Sequence, residues 1–266
     1  MSETRTPVVF IHGLWLHATS WDPWLDRFRD AGYDPVAPGW PNEPATVELA
    51  RQEPGAVADT GIDDATGHYA GIIERLASPP VMIGHSFGGL IVQKLLGQGH
   101  GVAGVAIDPA QIKGVLSLPF SQLRAGLPAL GNPANRHRSV SLTQKQFRFG
   151  FGNALSEEES NALHAKWTIP APARPLFQVA GANLARRSQA QVDTLNHTRG
   201  PLLLISGTAD HTVPDVVTRS TWKQYEHSDA TTAFKWFPER GHSLAIDNGW
   251  EDIADTVLEW LKHNGI

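Results

Sequence analysis

The chain has 266 residues, of which 41% are hydrophobic and 18% charged, and its formal net charge is -5 at pH 7. This size and composition are typical of one globular domain, or of one domain with a sizeable insertion, and are sufficient for a substantial core. Because acidic and basic residues are interspersed, without a basic stripe or a polybasic amphipathic segment, we expect neither nucleic acid nor a membrane as a partner.

The chain contains no cysteine, which excludes disulfides, thiolate nucleophiles and cysteine-ligated zinc. No apolar run approaches the ~20 residues of a membrane span. The first residues, MSETRTP, are polar and carry no hydrophobic segment typical of a signal peptide. We therefore expect a cytoplasmic protein, whose oligomeric state the composition does not indicate.

Four short apolar runs in the first half of the chain predict buried strands, at residues 8–11, 35–37, 81–83 and 102–107. Between them, three segments with apolar residues at helical spacing predict helices, which begin near residues 20, 62 and 90. A loop rich in proline and glycine, residues 38–61, is long enough to border a site. Alternating strands and helices indicate an α/β fold whose parallel sheet has helices on both faces.

The alternation stops at residues 111–198, where short helical patterns are separated by proline-rich turns. It resumes with strands at 201–206 and 234–237 and with a final amphipathic helix that ends at Asn264-Gly265. We therefore predict a core formed by residues 1–110 and 199–266, and a helical cap formed by residues 111–198.

The stretch Gly84-His85-Ser86-Phe87-Gly88 has the form G-x-S-x-G between a predicted strand and a predicted helix. Glycines at these positions leave room for a sharp turn that presents the serine hydroxyl above the sheet. The backbone N–H of Phe87, at the start of the helix, would then point to where an oxyanion forms. The alternative is a plain turn in which Ser86 caps the helix.

A serine hydroxyl needs a base that takes its proton and a carboxylate that orients the base. Asp210 follows the strand in PLLLISGTAD, and His242 follows the strand in FKWFP. The chain order Ser86, Asp210, His242 is typical of a nucleophile turn on a parallel sheet. Asp108 also follows a strand and stays open as an alternative acid, or as a turn residue before Pro109.

Two other histidines near these motifs are expected to have structural roles. We expect His12 to shape the loop after the first strand, and His85 to be packed or hydrogen-bonded away from Ser86. No metal-ligand spacing such as H-E-x-x-H is present, so we expect no metal and no other cofactor.

Four motifs together resemble the α/β-hydrolase family: FIHG after the first strand, GHSFGG, SGTADHTVP, and ERGHS before the final helix. The resemblance covers residues 7–110 and 200–263. It implies a Ser/His/Asp triad and an oxyanion hole formed by the backbone N–H groups of Leu14 and Phe87, beside which Trp15 would form pocket wall. Because the chain begins almost at the FIHG strand, the resemblance implies a sheet of about six strands.

These features predict a serine hydrolase that cleaves the carboxylic ester of a small, largely apolar substrate through an acyl-enzyme, as carboxylesterases do. Thioesterases, lactonases and perhydrolases with haloperoxidase-like activity use the same residues and stay open as alternatives. A ligand-binding protein that keeps a silent triad is the alternative from another class. A serine rather than an aspartate at position 86 disfavours dehalogenases and epoxide hydrolases.

Overall fold

The computed structural model describes residues 5–266, so the first four residues of the predicted polar start lie outside the described residues. The strands are β1 (Pro7–Ile11), β2 (Asp34–Val36), β3 (Val81–His85), β4 (Ala103–Ile107), β5 (Ser139–Val140), β6 (Ala171–Pro172), β7 (Leu202–Gly207) and β8 (Thr232–Phe237). Six of them form a wholly parallel sheet in the order β2-β1-β3-β4-β7-β8, and β5 pairs with β6 in a small antiparallel ribbon. The predicted parallel sheet of about six strands is confirmed.

Each central strand is buried on both faces of the sheet. In β1, Val8 and Phe10 belong to one hydrophobic core, whereas Val9 and Ile11 belong to the other. Successive side chains of a strand point to opposite faces, so a strand covered on both sides needs apolar residues at every position. This is why the strands are continuous apolar runs in the sequence.

The helices, in chain order, are α1 (Asp22–Asp30), α2 (Val47–Gln52), α3 (Ile62–Ile73), α4 (Phe87–Gly97), α5 (Phe120–Leu130), α6 (Gln144–Gly150), α7 (Glu157–Trp167), α8 (Arg174–Ala180), α9 (Asp215–Lys223) and α10 (Trp250–His263). Helices α1 and α10 cover one face of the sheet, and α3, α4 and α9 cover the other. Among residues 5–266, no helix is long and apolar enough to cross a membrane.

One short helix was not predicted. The loop expected to run irregularly over residues 38–61 contains α2, which Thr46 caps by accepting a hydrogen bond from Leu49 N at 3.2 Å. Six residues offer too few helical repeats for a periodic pattern to emerge from such a proline-rich segment.

Helices α5 to α8 and the β5–β6 ribbon lie between β4 and β7, in the segment predicted as a cap. Three hydrogen bonds join this segment to the loop after β1. Trp15 Nε1 donates to Val140 O at 2.9 Å, His17 N donates to Trp167 O at 3.1 Å, and Ile169 N donates to Trp15 O at 3.0 Å. The assignment of residues 111–198 to a separate cap stays a prediction.

The strand order determines where a site can form. Strands β1 and β3 are neighbours in the sheet. The strand that follows β1 in the chain, β2, lies on one side of this pair, and the strand that follows β3, β4, lies on the other side. In open parallel sheets, such a point leaves a crevice at the carboxyl ends of the strands. The loop after β1 and the turn after β3 therefore meet at one place.

Aromatic side chains hold α1 on the sheet. The ring of Phe10 lies 5.9 Å from that of Trp24 and 5.2 Å from that of Phe28, edge-on in both pairs. Trp24 is fully buried, and its Nε1 donates to Ala245 O at 2.8 Å. Because Ala245 follows closely after His242, this cluster also fixes the loop that carries that histidine.

Replacing Trp24 with alanine should lower the free energy of unfolding by about 3–5 kcal/mol, because it removes a buried indole and leaves a cavity. Trp236→Ala is the matched control, since Trp236 is 50% exposed, and it should change the free energy by less than about 1 kcal/mol. Urea unfolding followed by circular dichroism measures both values. Equal losses would contradict the role given to the cluster.

Candidate active site

Ser86 occupies the sharp turn between β3 and α4. Its φ of 55° and ψ of -119° lie in a region that residues other than glycine rarely adopt. Ser86 N donates to Ile107 O at 2.9 Å, and the Ser86 carbonyl accepts from Ala110 N at 2.9 Å. The strained residue is thus held between its own turn and the end of β4.

The glycines on either side of Ser86 stand where no Cβ fits. A Cβ on Gly84 would overlap the backbone of Gly88, and a Cβ on Gly88 would overlap the carbonyl oxygen of Ile11. Since the obstructing atoms belong to the backbone, a rotamer change cannot relieve either overlap. The two glycines allow α4 to begin directly against β1 and β3.

Three buried polar side chains are in line at the carboxyl end of the sheet. His242 Nε2 lies 3.0 Å from Ser86 Oγ, and His242 Nδ1 lies 2.6 Å from Asp210 Oδ2. They follow β3, β7 and β8, and all are buried. In such a chain the imidazole can take the serine proton while the carboxylate orients the ring and stabilises its charged form.

The loop after β7 fixes the Asp210 carboxylate. Its Oδ1 accepts hydrogen bonds from Thr212 N at 2.6 Å and from Val213 N at 2.9 Å. One oxygen of Asp210 is therefore anchored to its own loop, and the other faces His242.

Asp108, the alternative acid, lies close to the same ring. Its Oδ1 accepts from Gly207 N at 2.8 Å, whereas its Oδ2 is 4.0 Å from His242 Nδ1, beyond hydrogen-bond distance. Burial, and then the neighbouring charge of Asp210, raise the pKa of Asp108 well above its usual value. Asp210 is therefore the carboxyl that contacts the imidazole, whereas Asp108 contacts the backbone at the end of β7.

His85 and Phe151 enclose the ring of His242. His85 Nε2 donates to the His242 carbonyl oxygen at 2.8 Å. Burial, and then the proximity of His242, lower the pKa of His85 well below its usual value, which keeps it neutral. Phe151 packs edge-on at 4.8 Å between centroids. The sequence predicted a packed His85, but no motif marks Phe151 as a neighbour of His242.

The side chains of His85, Asp108 and His242 place ligand-type atoms within 4.8 Å of one another. Both nitrogens of His242 are already within hydrogen-bond distance of Ser86 and Asp210. Of the ligand-type atoms of these three side chains, His85 Nδ1 and Asp108 Oδ2 have no hydrogen-bond partner among residues 5–266. Catalytic zinc uses three protein ligands, so the arrangement fits a hydrogen-bonded chain better than a metal centre.

The predicted oxyanion donors, the N–H groups of Leu14 and Phe87, belong to two segments that meet at Ser86. A Cβ on Gly13 would lie 2.7 Å from Ser86 Cβ, so the loop after β1 packs directly on the serine. Within the described residues, neither N–H donates a hydrogen bond. Free N–H groups beside a nucleophile can stabilise negative charge that develops on a carbonyl oxygen.

A buried ion pair shapes the loop that carries Leu14. His12 Nε2 lies 2.9 Å from Glu43 Oε2, and Glu43 Oε1 accepts from Ala18 N at 3.0 Å. Trp40 Nε1 donates to His12 O at 3.0 Å. The long loop after β2 is thereby fastened to the loop after β1.

Each partner of the pair shifts the pKa of the other toward its charged form. Burial alone would lower the pKa of His12, but the charge of Glu43 and its hydrogen bond raise it above the usual value. Burial alone would raise the pKa of Glu43, but the charge of His12 and its hydrogen bond lower it. The sequence predicted that His12 shapes the loop, and it did not identify Glu43, because a lone acid in a proline-rich loop has no informative spacing.

A cavity of about 950 Å³, counted with its open mouth, lies in front of Ser86. Trp15 and Phe87 line it from the core, and residues of α5 and α8 line it from the inserted segment. Its polar lining residues are Ser86, Gln111, Gln122, Asn183 and Thr212. No Asp, Glu, Lys, Arg or His side chain borders it among the described residues, so the site suits an uncharged, largely apolar molecule.

Solved structures similar to this chain span nearly its whole length. A monoacylglycerol lipase from Paleococcus ferrophilus is 22% identical, with 97% of this chain and 94% of that chain covered and a TM-score of 0.69. An extracellular alpha/beta-hydrolase from a Paenibacillus species is 18% identical, with coverage of 96% and 98% and a TM-score of 0.68. A methylesterase from Arabidopsis is 14% identical, with coverage of 97% and 99% and a TM-score of 0.66. At these identities, the likeness shows a shared fold.

Curated proteins give no significant match to the chain. The model of the alpha/beta hydrolase family, in contrast, matches residues 8–256. That match extends from β1 into α10 and includes every motif on which the sequence resemblance rests. The chain therefore belongs to the α/β-hydrolase family.

Proposed function

We propose that the protein is a serine hydrolase that cleaves the carboxylic ester of an uncharged, largely apolar substrate through an acyl-enzyme. The observation that carries this proposal is the continuous contact from Ser86 through His242 to Asp210 at the base of an uncharged cavity. The lipase and the methylesterase among the structural neighbours support the same class of reaction.

In the first half of the reaction, Ser86 Oγ attacks the ester carbonyl carbon while His242 Nε2 takes the hydroxyl proton. The carbonyl oxygen becomes an oxyanion, to which the N–H groups of Leu14 and Phe87 donate. Asp210 accepts from His242 Nδ1–H and stabilises the imidazolium. The tetrahedral intermediate collapses, and the alcohol leaves with the proton that His242 returns.

In the second half, a water molecule attacks the acyl carbon while His242 takes one of its protons. The same two N–H groups stabilise the second oxyanion. Collapse breaks the bond to Ser86 Oγ, which recovers its proton from His242, and the carboxylic acid leaves. One ester and one water are consumed, and no cofactor takes part.

Ser86→Ala should lower the turnover of p-nitrophenyl butyrate by about 10³-fold or more, because the nucleophile is lost while the fold is kept. The same variant should no longer react with a fluorophosphonate probe. Ser117→Ala is the control: Ser117 is partly buried against Ser220 and lies outside the cavity lining. Near-normal turnover by Ser86→Ala would refute the mechanism, and an unlabelled wild-type protein would favour a ligand-binding role.

Substitutions of the two carboxyl residues near His242 should lower kcat to very different extents. Asp210→Asn should lower kcat by about 10³- to 10⁴-fold, because the imidazole loses the carboxylate that orients it. Asp108→Asn should cost less than about tenfold, since the amide oxygen can still accept from Gly207 N and Asp108 Oδ2 stands 4.0 Å from the ring nitrogen. Steady-state kinetics on p-nitrophenyl butyrate compares them. A reversed order would make Asp108 the orienting acid.

Charge on the substrate should oppose binding. The p-nitrophenyl ester of pentanoic acid should have a kcat/KM at least about tenfold higher than that of the p-nitrophenyl monoester of glutaric acid, which has equal length and a terminal carboxylate. A carboxylate that enters an uncharged cavity loses hydration without gaining a partner. Initial rates at neutral pH give the ratio, and a ratio near one would contradict the apolar assignment. Thioesters and lactones in the same panel distinguish the alternative hydrolases.

A further inference from the structure

Large apolar side chains are exposed around the mouth of the cavity. We call this group the leucine rim; it consists of Leu116, Leu118, Phe120, Leu123, Leu127 and Leu184. Leu116, Leu118 and Leu123 are 79%, 57% and 44% exposed and also line the cavity, so they stand at its entrance. Exposed apolar groups that gather in this way mark an interaction surface.

The rim is continuous although its residues come from two segments. Phe120, Leu123 and Leu127 are three and four residues apart on α5 and share one face of that helix. Asn183 Oδ1 accepts from Gly114 N, and Asn183 Nδ2 donates to Val115 O, each at 2.7 Å. These two bonds fasten the segment that carries Leu184 to the segment that carries Leu116.

The inserted segment has a charge opposite to that of the rest of the chain. Residues 111–198 contain ten Lys and Arg against four Asp and Glu, a formal charge of +6, whereas the remaining residues carry -11. Arg124, Arg186 and Arg187 are exposed and lie within three residues of a rim leucine in the sequence. Within residues 5–266, no carboxylate is within 4.0 Å of these three guanidinium groups.

We propose that the leucine rim docks on the surface of an anionic lipid assembly, with its apolar side chains among the acyl chains and its arginines against the lipid phosphates. Both contributions act together in peripheral binding of this kind. The acidic remainder of the chain would be repelled, which orients the mouth of the cavity toward the lipid. An apolar ester dissolved there would then reach Ser86 without crossing water.

This proposal departs from the expectation that a membrane is not a partner. That expectation rested on the net charge of -5 and on interspersed acidic and basic residues without a polybasic or amphipathic anchor, and it did not consider the charge of residues 111–198 by itself. It does not depend on hydrolysis, since neither the rim nor its arginines takes part in the proposed chemistry. Docking and catalysis can therefore be tested separately.

The test is co-sedimentation of the Ser86→Ala protein with phosphatidylcholine vesicles, alone or mixed with phosphatidylglycerol. We expect binding to the mixed vesicles that weakens as salt is added. In this background, Phe120→Ser/Leu127→Ser should lower the partition coefficient by about tenfold or more, because two apolar side chains no longer enter the lipid. Arg186→Ser/Arg187→Ser should lower it by about tenfold or more on mixed vesicles only.

Leu49→Ser/Leu195→Ser is the matched control, since it removes two exposed leucines outside the rim and the cavity lining. It should leave vesicle binding unchanged. With Ser86 intact, Phe120→Ser/Leu127→Ser should hydrolyse p-nitrophenyl butyrate at the wild-type rate, because neither residue lines the cavity.

The docking proposal is overturned if mixed vesicles do not bind the protein, or if the control loses as much binding as the rim variant. It is also overturned if ultracentrifugation shows a dimer that Phe120→Ser/Leu127→Ser abolishes, since the rim would then cover a second copy. Vesicle binding by a protein that hydrolyses no ester would refute the proposed function and leave the docking standing.

Discussion

The close approach of the first turn of α4 to the ends of β1 and β3 fixes the position of Ser86, and the rest of the site depends on it. The approach requires glycine at position 88, where any Cβ would overlap the Ile11 carbonyl oxygen. It also leaves Ser86 in a backbone conformation that costs about 1–3 kcal/mol. Hydrogen bonds to Ile107 and Ala110, and the complete burial of α4, offset this strain. The serine is therefore presented at a fixed point above the sheet, to which the other strand ends supply their side chains.

The loop after β1 has to meet Ser86 at that point, and the pair of His12 and Glu43 holds it there. Taking both charges out of water is expensive, so the pair stabilises the loop only while each partner keeps its charge. Because the pKa of His12 is raised, its pairing stabilises the folded state fully below the usual pKa of 6.5. This stabilisation is lost as the pH rises through the pKa of His12 in the folded protein. Because the pKa of Glu43 is lowered, its pairing stabilises the folded state above the usual pKa of 4.5. This stabilisation is lost as the pH falls through the pKa of Glu43 in the folded protein. The loop is thus held most firmly between these two limits, in mildly acidic solution.

The sequence indicated most of the core, because strands buried on both faces are apolar at every position and the polar residues that end them are easily seen. This pattern predicted Ser86, Asp210 and His242 as site residues, each after a strand, and the structure brings the side chain of His242 within hydrogen-bond distance of the other two. The choice between Asp108 and Asp210 needed coordinates, since both follow strands and only the distances of 4.0 and 2.6 Å to His242 Nδ1 separate them. Contacts between distant loops, such as that of Glu43 with His12, leave no local pattern to detect.

The net charge of -5 does not describe the surface around the cavity. Charges on a protein surface are screened beyond a Debye length of about 8–10 Å, so a partner responds to the patch it touches and not to the sum over the chain. The +6 of residues 111–198 offsets only part of the -11 of the remainder, and the sum hides that the two parts of the chain differ in sign. The core holds Ser86, His242 and Asp210, whereas the inserted segment supplies most of the cavity wall and the whole of its exposed rim. Substitutions in the inserted segment can therefore change what reaches Ser86 without altering the hydrogen bonds that link it to His242 and Asp210.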